Sequence, residues 1–196
     1  MLNSANAVAN YFLERAWDEG IELTPMKLLK LVYIAHGWYL AVYGGQPLLQ
    51  ERIQAWPYGP VIGDLYQQFK RFGNRPIDDH AYEFDGKFHE RPKVALEDSE
   101  ARAVLDHVWQ AYKDYSAYQL SDMTHREGTP WHRVKEAHNG ALPRNAVIPD
   151  TWIHAHYRDL GLAAKAAQDA HASVDAAAVD RPPVEARVAD AADAAV

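Results

Sequence analysis

No cysteine occurs among the 196 residues of this chain. Disulfides, thiolate zinc sites and a thiol nucleophile are therefore excluded, and a reducing cytoplasmic setting fits. Long uninterrupted apolar runs are also missing. The best candidate, Met26 to Tyr43, is broken by Lys27, Lys30 and His36 and is short for a membrane span, so it reads as a buried helix and no membrane partner is expected. Excess positive charge is absent too. A net charge of -7 works against a nonspecific grip on phosphate backbones, which depends on clustered Lys and Arg, and nucleic acid is not an expected partner. The N-terminal stretch lacks the basic start and apolar core of a signal peptide and instead repeats its apolar residues at helical spacing.

What is present is a mainly α composition, with 48% apolar and 24% charged residues, enough for one ordinary domain with a core. Ala5, Val8, Ala9, Phe12, Ala16 and Trp17 trace an amphipathic first helix with Asn3 or Ser4 as its cap. The second helix has Thr24 at the N-cap, Pro25 at the first helical position, Leu23 placed to staple against Leu28, and Gly44-Gly45 as its stop. Apolar residues surround it on nearly all sides, which predicts a central helix enclosed by others. Leu48 to Trp56 reads as a short strand or extended arm, after which Pro57 and Pro60 are expected to end regular pairing. A third helix is expected over Val61 to Phe72, and Asp85-Gly86 between Phe84 and Phe88 signals a small hairpin.

Further helices are expected from Asp98, from Ser116 with Gln119 as a capping box, from Thr129-Pro130, and from about Pro149-Asp150. Beyond Leu160 aromatics vanish and Ala, Asp and Val take over, with Pro182-Pro183. Such a segment cannot bury enough surface to offset its chain entropy. The predicted architecture is a compact single-domain helical bundle over 1–159, built around a buried central helix with a small β-hairpin or short strands. A disordered, acidic, Ala-rich tail over 160–196, able to form transient helix before the prolines, follows.

Two motifs stand out. Trp56-Pro57-Tyr58-Gly59-Pro60 combines two stiff prolines, a permissive glycine and two large rings, fixing a turn that presents aromatic surface. Trp56 reads as a core plug, and Tyr58 either as packing or as a partner contact. The second block is Leu120-Ser121-Asp122-Met123-Thr124-His125-Arg126-Glu127-Gly128-Thr129-Pro130-Trp131. Thr124, His125 and Glu127 allow a catalytic reading with His125 as base, but no nucleophile motif or oxyanion loop accompanies them. A helix-end histidine bonded to a carbonyl, with Glu127 solvated, is preferred, and no catalytic residue is assigned. Ten histidines include His125, His132 and His138 close in sequence and the pair His154 and His156, yet none has a tight ligand spacing. No metal or cofactor is expected. Lys27, Lys30, Lys70, Arg71 and Arg75 are placed at helix edges, as a solvated face or a patch for an acidic partner.

Leu28-Leu29-Lys30-Leu31-Val32-Tyr33, Ala55-Trp56-Pro57-Tyr58-Gly59-Pro60-Val61 and the Leu-x-x-x-Thr-His-x-x-x-x-Pro-Trp pattern at 120–131 together closely resemble the SocA-like Panacea domain family. That family is associated with toxin neutralisation and mobile genetic elements. The resemblance implies an antitoxin that neutralises a co-encoded protein toxin by direct binding, without catalysis of its own, and opens a role in delivering that toxin to the ClpX-ClpP protease. The family-motif and partner-contact candidates are then Trp56, Tyr58, Gly59, Pro60, Thr124, His125, Pro130 and Trp131. Partner choice is also open to the 74–96 segment and the helix faces around Tyr11, Tyr66 and Tyr118. Alternatives are a prophage or mobile-element protein that binds a host factor, and a hydrolase using His125 and Glu127. The small apolar ending Asp193-Ala194-Ala195-Val196 resembles tails read by ClpX-ClpP, which half-life after replacing Ala195-Val196 with Asp-Asp would test. No DNA-binding segment for autoregulation is recognised in the acidic tail.

Overall fold

The computed structural model describes residues 2–82, 96 and 98–179, with side chains through 169. The chain divides into two units, Met1–Leu160 and Gly161–Val196. The expected Asp85-Gly86 hairpin and the final residues from Asp180 onward lie outside the described residues.

In the first unit, α1 (Ala5–Asp18) starts where Ser4 accepts a hydrogen bond from the Ala7 N–H, so Ser4 rather than Asn3 is the cap. The long α2 (Pro25–Val42) begins at Pro25 as its sequence signals indicate, although the Thr24 side chain makes no capping bond. Leu28 through Gly37 are all buried, which makes α2 the axis of the fold, packed by α1, α4, α5 and the hairpin. Its close packing is concrete at Gly37, where a Cβ would lie 2.2 Å from the Tyr157 ring. His36 is buried beside it, with Nε2 3.1 Å from the Asp150 carboxylate.

The strands β1 (Ile53–Trp56) and β2 (Gly59–Ile62) form an antiparallel hairpin in the register Ile53 with Ile62 through Trp56 with Gly59. Regular pairing thus continues through Pro60, contrary to the expectation from its missing N–H. The reason is the face of the ladder. Pro60 sits opposite Ala55, whose own N–H points outward to the Ala146 carbonyl at 2.7 Å, so this pair exchanges no ladder hydrogen bonds and the proline removes none. Because β2 takes Val61 and Ile62, the third helix α3 starts later than expected, at Gly63, runs to Phe69, and tightens into a 3₁₀ turn over Lys70–Phe72.

The extended stretch 77–82 is pinned to α1 by buried Asn10, whose amide donates to the Ala81 carbonyl at 2.9 Å and accepts from the Ala81 N–H at 2.7 Å. Helix α4 (Ser99–Tyr112) is capped by Asp98, and α5 (Ala117–His125) carries the full Ser116–Gln119 capping box. Helix α6 (Pro130–Ala137) is capped by Thr129, and α7 (Asp150–Val179) closes the described chain. Among the described residues the architecture is mainly helical, with one two-stranded hairpin. No described helix is long and apolar enough to cross a membrane. In the second unit, residues 161–179 are the continuation of α7.

Candidate partner-binding site

The two sequence blocks, about sixty residues apart, meet at one point. Lys30, in the first half of α2, is only 2% exposed, and its ammonium donates to the Tyr58 carbonyl at 2.9 Å and the Pro60 carbonyl at 3.3 Å. Burial pulls its pKa down to about 7. This overturns the placement of Lys27 and Lys30 on a solvated helix edge. Lys27 is buried as well and donates to the Lys113 carbonyl, its pKa likewise lowered by burial. The helix itself held the signal, since α2 has no polar face on which a lysine could stay wet.

His125 ends α5 and faces the same turn. Its Nδ1 lies 2.6 Å from the Ser121 carbonyl, which can only accept, so Nδ1 carries the proton and Nε2 holds a lone pair in the neutral ring. Burial lowers the His125 pKa, the Ser121 carbonyl opposes that shift, and the nearby Lys30 charge adds to it. Between the two sits Gly59, with φ +103°. A Cβ there would fall 2.4 Å from Lys30 Nζ and 2.7 Å from His125 Cε1, so glycine is required both for backbone conformation and for space.

Trp131 completes the joint. Its ring packs edge-on against His125 at 4.2 Å between centroids, and its indole N–H donates to the Trp56 carbonyl at 2.8 Å. Thr124 is buried, its hydroxyl donating to the Ser121 carbonyl at 2.8 Å, while the Thr129 hydroxyl donates to the Thr124 carbonyl at 3.1 Å and caps α6 through the His132 N–H. Pro130 is buried at the first position of α6. Gly59, Pro60, Thr124, His125, Pro130 and Trp131 therefore belong to one packed joint centred on Lys30, which lies in the first motif block but was not among the candidate site residues. Glu127 is exposed, and the His125 nitrogen that a carboxylate would orient is already occupied by Ser121.

Outside this joint lies a groove of about 410 Å³ between the start of α2, the hairpin turn and α3. Met26, Leu29, Trp56, Tyr58, Val61 and Tyr66 give it an apolar and aromatic lining. Trp56 is half-buried rather than a core plug. Its ring meets Tyr66 edge-on at 5.0 Å, and its N–H is held by the Gln54 side chain at 2.8 Å. Tyr58 is 83% exposed, which removes packing as its role. The cations Lys30 and Lys70 also line the groove, and among the described residues no lining side chain is a carboxylate. Pro25 and Met26 at the rim open α2, so the positive end of that helix dipole adds to the same sign. Tyr118, 80% exposed on α5, and Tyr11, bonded to Asp106 at 2.6 Å, stand apart from it.

The two sequence blocks thus lock a hairpin turn to the central helix of a helical domain, beside an open apolar groove. Residues 28–132 match the family described as Antitoxin SocA-like, Panacea domain, and the chain belongs to that family. It is similar to Antitoxin SocA from Caulobacter vibrioides (strain NA1000 / CB15N), with 33% identity over 155 residues, 79% of this chain and 82% of the relative. No solved structure matches the chain.

Proposed function

We propose that this chain is the antitoxin of a toxin-antitoxin pair and neutralises a co-encoded protein toxin by direct contact. The alignment of 79% of the chain with Antitoxin SocA carries this reading. The neutralising unit is assigned to residues 1–159, and 160–196 to an acidic Ala-rich tail not needed for binding. Passing the bound toxin to ClpX-ClpP is the second, separable part of the proposal. A hydrolytic role gains no support, because His125 and Glu127 do not form an acid-base pair.

Co-expression tests it. The protein encoded by the adjacent gene is expressed in a bacterial host alone, with the full chain, and with residues 1–160. Toxicity relieved by both versions, in a host lacking ClpX as well as in wild type, is the outcome for neutralisation by contact. Relief only by the full chain and only with ClpX present would place proteolysis first. A harmless neighbour, or one never relieved, would favour a host-factor partner instead.

A further inference from the structure

We propose that the groove between the start of α2, the Tyr58 turn and α3 is where the toxin docks, and that it receives an apolar toxin segment carrying a carboxylate. This rests on the antitoxin reading and adds the surface and the chemistry to it. Three observations lead there.

The first is shape and composition. A groove of about 410 Å³ falls within the size range of built binding sites, and its aromatic walls with few polar groups are the composition of an interface centre. The second is exposure where the fold gains nothing from it. Tyr58 and Met26, at 83% and 36% exposure, both line the groove, while Gly59 and Pro60, which follow Tyr58, are buried. A tyrosine ring with two side-chain torsions, held out by a rigid turn, acts as an anchor at little entropic cost, and a flexible thioether adapts to the surface it meets.

The third is sign. The protein carries a net charge of -7, yet the charged side chains lining the groove are Lys30 and Lys70, with no carboxylate among the described lining residues. Lys70 is exposed and supplies the standing positive charge of the groove, while Lys30, 2% exposed, lies behind the wall with its amine held by the Tyr58 and Pro60 carbonyls. A carboxylate entering beside Lys70 meets complementary charge in an apolar surround, where such a pairing selects partner and register. A basic segment would meet only like charge.

The test uses the full chain and the protein encoded by the adjacent gene. Tyr58→Asp, Met26→Glu and Lys70→Glu are compared with wild type for relief of toxicity and for affinity by titration. Val42→Asp, at the far end of α2 and 63% exposed, serves as control. Thermal melts of each variant matching wild type establish that the fold is kept. Tyr58→Asp and Met26→Glu are expected to weaken binding at least about thirtyfold and Lys70→Glu about tenfold, with Val42→Asp within about twofold of wild type. Tyr58→p-benzoylphenylalanine should cross-link to a toxin peptide in which Asp, Glu or the terminal carboxylate lies among apolar residues. If the wild type binds and relieves toxicity while the three groove variants do so equally well, the groove is not the docking site and the antitoxin reading stands. If the variants fail but the cross-linked peptide has no carboxylate, the chemistry proposed for the occupant is wrong. If the wild type itself neither binds nor relieves, the antitoxin reading falls and the groove proposal falls with it.

Discussion

Within the five residues Trp56 to Pro60 the surroundings reverse. Gly59 and Pro60 are buried against Lys30 and His125, whereas Pro57 and Tyr58 project into solvent beside the groove. The buried half is specified by space and hydrogen bonding, since a Cβ at Gly59 has nowhere to go and the Tyr58 and Pro60 carbonyls are the acceptors for a buried ammonium. The exposed half is under no such constraint. A signature motif can thus be mostly scaffold while the side chain it displays is free to answer to a partner. Substitutions should separate the two halves cleanly, with loss of folding on one side and loss of binding without loss of folding on the other.

The largest expected effect comes from the joint. Trp131→Ala removes a ring that is 4% exposed together with the donor to the Trp56 carbonyl, and should cost about 3–5 kcal/mol of unfolding free energy in denaturant titrations. Gly59→Ala should follow at about 3 kcal/mol, from the strained positive φ and the collision with Lys30 and His125. Either variant melting like wild type would show that the turn relaxes easily and that the joint is not rigid. Thr129→Ala removes one cap and one buried donor, and should cost about 1–2 kcal/mol in the same titration.

Lys30 sharpens the comparison through pH. Its pKa is about 7 when folded and near 10.5 when unfolded, so between these values the unfolded chain binds more protons and stability rises with pH. Below about pH 7 the lysine is charged in both states and adds no slope. Above about pH 10 buried tyrosines reverse the trend, because burial raises the pKa of Tyr33 and Tyr157 and ionisation then favours the unfolded chain. Thermal melts from pH 7 to 9 should rise for wild type and rise less steeply for Lys30→Met, in which the buried Lys27 retains its part of the slope. A flat wild-type profile would mean that the ammonium is better solvated than its burial indicates. The smallest effect on stability is expected at Tyr58→Ala, within about 0.5 kcal/mol, as for other solvent-exposed side chains.

Much of the helical frame was legible in the sequence. Pro25 at the start of α2, Asp98 before α4, the Ser116–Gln119 box and Thr129-Pro130 are local signals whose physics acts within one turn, and each stands where it was expected. The hairpin was harder. Whether a proline is tolerated in a strand depends on which side of the ladder its nitrogen faces, and that is set by Ala146, nearly ninety residues away. The site divides the same way. Trp56, Tyr58 and the 120–131 block were visible as motifs, but their convergence on Lys30 is tertiary; the burial of Lys30 was implied by the apolar residues all round α2, whereas its acceptors were not. The groove is only partly marked by motif, since Met26, Tyr66 and Lys70 share with Trp56 and Tyr58 nothing but a surface.

The most direct measurement is chromatography of the purified full-length chain mixed with the protein encoded by its adjacent gene, run in parallel with Tyr58→Asp. The account predicts co-elution as a stable complex for the wild type, free components for Tyr58→Asp, and indistinguishable melting of the two chains alone. Separate elution of the wild type and the neighbour at micromolar concentration would contradict neutralisation by direct contact.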